Sequence, residues 1–270
     1  MTSTRAKWAA TLVVLAVLIP GKTRAQSGNY TAPRNAVLNA AGARIINVSA
    51  GAGFLHINGR TGINQVRVTG VAHASSQRIL DEIRLQAERQ GDAVTIKMIL
   101  PDQNSSFWDL FRGNYDRGLD LTIEVPAGIP LDVHDGSGET IIRGTGPVTI
   151  ADGSGDLEMS GITGDVRITD GSGNITVSGV DGSVYVDDGS GSIDARNVTG
   201  NFTIGHDGSG SVDVAGVGGT MRVDTKGSGQ LKVSRVGGDF IVDTKGSGSI
   251  DYDTVKGTVT IPDRKRRGRG

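Results

Sequence analysis

The phrase Asp-Gly-Ser-Gly stands at Asp135, Asp152, Asp170, Asp188 and Asp207, and returns as Lys-Gly-Ser-Gly at Lys226 and Lys245. Its spacings are 17, 18, 18, 19, 19 and 19 residues. A unit this short cannot bury an apolar face alone, so a fixed period near twenty residues points to stacked units that share one core.

Each period holds two short runs in which apolar and polar residues alternate. They are Leu157/Met159 with Val166/Ile168, Ile175/Val177 with Val184/Val186, and Phe202/Ile204 with Val212/Val214. Met221/Val223 with Leu231/Val233, and Phe240/Val242 with Ile250/Tyr252, continue the series. Alternation at period two is the mark of a strand with one buried face. A further apolar residue recurs at Ile162, Val180, Val198, Val217, Val236 and Val255, and belongs to the same stack. The pattern predicts a right-handed β-solenoid of 17–19-residue coils, each a strand, a corner, a strand and a corner. Glycine at the corners supplies positive φ and close approach between coils. The change from 18 to 19 residues falls beside the Gly-Ser-Gly corner, where an extra residue does not turn a strand's face outward. A series of β-hairpins is the competing architecture. It is disfavoured because like residues stack on like over seven repeats.

Residues 35–134 are less regular. "ARIINVSAG", "FLHINGR", "NQVRVTGVAH" and "LDLTIEVP" read as strands. The stretch from Ile83 through Met98 reads as a hairpin turning at "QGDA", with one helical turn at 75–80 before it. These residues are expected to form irregular coils at the N-terminal end of the solenoid.

The repeat "DGSGDLEMSGITGDVRITDGSG" and the upstream order "QGDAVTIK", then "LDLTIEVPAGIPLDV", resemble the putative-adhesin family of bacterial envelope proteins, a β-strand-repeat domain. The resemblance covers most of residues 35–262. It implies an extracytoplasmic, non-catalytic β-solenoid and brings no catalytic residues with it.

The ends of the chain suggest its destination. Arg5 and Lys7 precede an apolar run from Trp8 to Ile19, and "TRA" at 23–25 places small residues before Gln26. This is the pattern of a cleaved export signal, and twelve apolar residues are fewer than the ~20 that a spanning helix needs. The organisation expected is a signal at 1–25, a linker at 26–34, irregular coils at 35–134, regular coils at 135–262 and a basic tail at 263–270. Removal of the signal leaves a formal charge of −5, which argues against a nucleic-acid partner. The tail "DRKRRGRG" is expected to be solvated, or to tether the chain to an anionic surface. With no cysteine, neither a disulfide framework nor a thiolate metal site can form.

Few candidates for chemistry emerge. The five repeat aspartates are expected on one edge of the stack, capping backbone N–H groups of the Gly-Ser corners. Calcium bridging them is the sharper alternative, but Lys226 and Lys245 take the same position in the last two coils. The ladder Ser137, Ser154, Ser172, Ser190, Ser209, Ser228 and Ser247 lacks a base. A nucleophile needs one beside it, and His134 and His206 lie four coils apart, roughly 19 Å. His56 and His73 have no evident partner. The segment 104–118 carries Phe107, Trp108, Phe111 and Tyr115, four of the ten aromatics outside the signal. It is read either as a flap over the core or as a partner-contact platform.

The expected function is an exported, non-catalytic envelope interaction or scaffold module located in the periplasm, on the cell surface or outside the cell. It needs no cofactor and no metal. Its partner is a glycan or protein of the envelope, with self-association through the solenoid ends as a second possibility. The alternatives are a polysaccharide lyase- or hydrolase-like enzyme, and a calcium-stabilised repeat protein.

Overall fold

A computed structural model describes residues 30–101 and 117–262. The segment read as an export signal, the basic tail and the aromatic residues Phe107, Trp108, Phe111 and Tyr115 therefore lie outside the described residues.

The repeat region forms a β-solenoid; the whole stack has about seven turns of ~19 residues. One sheet takes Leu157–Thr163, Ile175–Asp181, Ile193–Val198, Val212–Val217, Leu231–Val236 and Ile250–Val255. The other takes the alternate strands Val166–Asp170, Val184–Ser190, Phe202–Ser209, Met221–Ser228, Phe240–Lys245 and Val259–Thr260. Every neighbouring pair in this region is parallel, and the first sheet holds its register throughout, so Val180 sits on Val198, Val198 on Val217 and Val217 on Val236. The inward residues Val166, Ile168, Val184, Val186, Phe202, Ile204, Met221 and Val223 are at most 2% exposed. Burying each such side chain contributes roughly 1.5–3 kcal/mol, and no coil achieves that without its neighbours.

Two local devices shape a coil. In the first sheet, strict alternation would turn Gly161 inward. Gly161 instead adopts φ 63°, which re-aims the chain so that Ile162 is buried. Gly179 and Gly216 repeat this, and Asn197, Arg235 and Thr254 hold the same left-handed corner at φ 56–58°. At the other corner the second glycine of the repeat phrase cannot be replaced. A Cβ on Gly191 would stand 1.6 Å from the Gly173 carbonyl oxygen, with φ at 147°. The extra residue of the longer coils is a β-bulge: Val186 pairs with Ile204, and Asp187 then pairs with His206, skipping Gly205. It falls at the corner, as the sequence predicted.

The N-terminal half keeps the expected strands but not a simple stacking order. Ile45–Ser49 and Leu55–Arg60 form a coil that lies between two others in space. Ile46 is flanked by Val94 and Leu131, and Leu55 by Leu121 and Thr140. The chain lays this coil first, wraps a second outside it, and returns to its inner side at Leu131. Two segments also run antiparallel, which departs from the expectation of irregular coils alone. Gln65–Ala74 runs against Arg117–Pro126, and Arg84–Gln90 pairs with Ala93–Ile99 as the hairpin read from Ile83 onward. The physical reason is end-capping. An end coil exposes its apolar upper face, and Val66, Val68, Ala72 and Ala74 cover it together with Ile79 and Leu80 of the helix Gln77–Glu82. Among the described residues, no helix is long and apolar enough to cross a membrane.

Candidate functional site

The repeat aspartates are not on the solvated edge. They continue the inward parity of their strands: Val148, Ile150, Asp152; Val166, Ile168, Asp170; Val184, Val186, Asp188. Asp135, Asp152, Asp170, Asp188 and Asp207 are 6, 5, 4, 1 and 0% exposed. Each is the direct register partner of the next, so they form one buried column at roughly 4.8 Å steps. Lys226, 2% exposed, follows Asp207 in the column, and Lys245 follows Lys226.

This corrects the expectation of solvated corner caps, which holds only in part. Gly136 N–H donates to Asp135 Oδ1 at 2.9 Å, and Ser190 N–H donates to Asp188 Oδ1 at 3.1 Å. The Thr140 hydroxyl donates to Asp135 Oδ2 at 2.9 Å. Both oxygens of Asp152 and Asp170, and Oδ2 of Asp188, have no donor in hydrogen-bond geometry. The corner N–H groups of Gly153 and Ser154 favour the Asp152 anion electrostatically without meeting that geometry.

The electrostatics follow from burial. Desolvation, and then the charges of Asp135 and Asp170, push Asp152 up to about 6. Asp170 rises to about 6 through burial and then Asp188. Asp188 rises to about 6 through burial and then Asp207, opposed by the Ser190 N–H, Lys226 and His206. Burial also raises Asp135, with Thr140 and Gly136 opposing it. A row of ionised carboxylates has acceptors only, whereas each proton added supplies one O–H donor that a neighbouring carboxyl can accept. The column is therefore built to hold protons below about pH 6. Its members are sealed from substrate by the coils around them. Among the described residues, no group of His, Cys, Asp or Glu is arranged to hold a metal ion.

The other sequence candidates are dispersed. His134 Nδ1 lies 3.7 Å from Asp132, His56 Nε2 lies 3.3 Å from Glu139, and His73 Nδ1 lies 3.8 Å from Asp120. The repeat serines lie along the corner, where their carbonyls accept from the second phrase glycine of the preceding coil: Gly155 N–H to Ser172 O at 3.0 Å, and Gly173 N–H to Ser190 O at 3.0 Å.

The outward columns are largely ion-paired. Arg143 reaches Glu158 at 2.6 Å, Arg196 bridges Asp194 and Asp213 at 2.9 and 3.2 Å, and Arg222 contacts Asp224 and Asp243. One shallow groove of about 530 Å³ crosses several coils of the second sheet, passing Asp132, Thr149, Arg167, Tyr185 and Thr203. Within it the Arg167 guanidinium stands 4.2 Å from the Tyr185 ring centre, and the Tyr185 hydroxyl donates to Asp187 Oδ1 at 3.1 Å. Sequence reasoning from the alternation Val166/Ile168 and Val184/Val186 sets Arg167 and Tyr185 on the outer face but does not join them. It missed the buried column, although counting two residues on from Val186 reaches Asp188.

No protein-family model matches the chain, and no curated protein does. Several solved structures are similar to it. One, described as a putative adhesin from Bacteroides fragilis, is 13% identical, with 86% of this chain and 96% of that chain covered at a TM-score of 0.44. A putative lipid binding protein from Parabacteroides distasonis is 16% identical over 84% of this chain and 96% of its own, at a TM-score of 0.40. A putative cell adhesion protein from Clostridium sporogenes is 13% identical over 85% and 98%, at 0.28.

Proposed function

We propose that this chain is an exported adhesin-like rod of the bacterial envelope that holds a glycan or protein partner without transforming it. The observation that carries this reading is the outer groove. It runs across the coils, as an extended polymer would, and offers a Tyr185 ring, the Arg167 cation and flanking hydroxyls. Aromatic faces and planar cations of this kind suit sugar rings and acidic polymers. The acids best suited to proton transfer are in the core, and several exposed acids, Glu158, Asp194 and Asp213 among them, are held by arginines, which favours binding over turnover. The aromatic residues Phe107, Trp108, Phe111 and Tyr115, outside the described residues, are a second candidate contact on sequence grounds, and the pattern at 1–25 supports export.

The test is a pull-down on envelope polysaccharide and envelope protein fractions. Wild type should retain a fraction that Arg167→Ala/Tyr185→Ala and Phe107/Trp108/Phe111→Ala each lose by tenfold or more. Equal capture by all three would sink the reading, and so would degradation of the polysaccharide. N-terminal sequencing of envelope-associated protein should begin at Gln26.

A second reading is self-association through the C-terminal end. Tyr252 is the register partner of Val233, which is fully buried, yet Tyr252 is 51% exposed. Among the described residues its strand is the last of its sheet, with one hydrogen-bonding edge unpaired, and such an edge is a template for another chain.

A further inference from the structure

The aspartate column ends where the repeat phrase changes from Asp-Gly-Ser-Gly to Lys-Gly-Ser-Gly. That change sets Lys226 directly on Asp207, as register partners on adjacent parallel strands with both side chains inward. The two side chains are 2% and 0% exposed, and Lys226 Nζ is in contact with Asp207 Oδ2. Nζ also donates to Gly210 O at 3.0 Å and to Ser228 O at 2.6 Å. Two of the three ammonium hydrogens are thus engaged by backbone carbonyls and the third position faces the Asp207 carboxyl; once that proton is handed over, a lone pair stands there instead. On the other side of Asp207 stands Asp188, 1% exposed, with Oδ2 lacking any donor.

We propose that Lys226 Nζ and Asp207 Cγ condense into an intramolecular isopeptide bond that staples the two coils, with Asp188 relaying the proton. The reaction starts when the ammonium hands its proton to the carboxylate, which removes both buried charges. The neutral amine, a desolvated nucleophile, attacks the protonated carboxyl. The Nζ–Cγ bond forms and one Cγ–O bond breaks. Asp188 gives its proton to the departing oxygen and recovers one, through the Asp207 group that stands between them, from the proton that nitrogen sheds; it ends as it began, and one water molecule leaves. No oxidant or second reactant is needed. Burial favours the proton-carrying form of Asp188 that this requires, with its value up at about 6. The product leaves no ionisable group at Asp207 or Lys226 in the core, beside Lys245 on the next coil.

Intact mass spectrometry of the purified, denatured full chain tests this without depending on any variant. The wild type should run one water lighter than its sequence. Digestion should release a branched peptide joining Asp207 to Lys226. Asp-Gly steps can also lose water by cyclising, so the branched peptide and survival of the mass loss in hydroxylamine are both required. Lys226→Arg and Asp207→Ala should each restore the full mass. Asp188→Asn should lower the cross-linked fraction of freshly made protein at least tenfold, and Asp188→Glu should recover it. Full sequence mass in the wild type, or Asp207 and Lys226 in separate linear peptides, overturns the bond. Undiminished cross-linking in Asp188→Asn overturns the relay.

Discussion

At the scale of single residues, the buried carboxyls make stability depend on pH in an unusual direction. Asp152, Asp170 and Asp188 stand at about 6, against an ordinary 3.8. The folded chain therefore keeps protons that the unfolded chain has already released. The contribution of these three groups to stability is greatest below about pH 4, falls between about 4 and 6, and is lost above that. A shift of this size corresponds to about 3 kcal/mol for an isolated group, and coupling along the column spreads it over the members. The melting temperature should rise by several degrees between pH 7.5 and pH 5, as read by circular dichroism. Asp170→Asn should stabilise the chain at pH 7.5 by about 1–2 kcal/mol and flatten the pH slope, since a neutral amide costs less to bury than a carboxylate. The charged and polar neighbours that oppose the effect are Thr140 at Asp135, and Lys226 and His206 at Asp188. Backbone space is equally strict. Gly191→Ala should destabilise by more than about 2 kcal/mol in a denaturant titration, because no rotamer relieves a Cβ pressed on the Gly173 carbonyl.

At the scale of one coil, parity matters more than length. The bulge at Gly205 absorbs the extra residue of the long coils and leaves Asp207 facing inward. Deleting Gly205 should move the bulge one junction along and cost no more than about 1 kcal/mol. One alanine inserted between Val212 and Asp213 should be far worse. It turns either Val212 or Val214 outward while both neighbouring strands keep their register, and the chain should lose its cooperative melt. The hairpin from Arg84 and the corner bulge were both legible in the sequence because each is a local rule, a period of two interrupted by a turn. The aspartate parity was equally local. It escaped because Asp-Gly reads so strongly as a turn signal that the alternation running into it was not counted through.

At the scale of the whole molecule, the two ends differ. The N-terminal end is covered by antiparallel strands and a short helix, whereas the last coil leaves Ile250, Tyr252, Val255 and Val259 partly or largely uncovered. Sedimentation velocity should show concentration-dependent association that Tyr252→Arg weakens at least tenfold. A wild type that stays monomeric throughout would remove the second reading. The antiparallel cap was not legible in the sequence. Gln65–Ala74 alternates as cleanly as any solenoid strand, and alternation fixes a buried face without stating the direction of the partner.

The sequence by itself determined what repeats. Period, alternation and glycine spacing act between near neighbours or identical positions of adjacent coils, so they dictate stacked strands and the residues in each column. The tertiary structure decided what meets across the chain. It placed the 45–60 coil between later ones, and it sealed a row of acids from water with a single lysine pressed against its end. Those outcomes depend on which surfaces remain to be covered and on how far solvent is excluded, and both arise only once the coils close on one another.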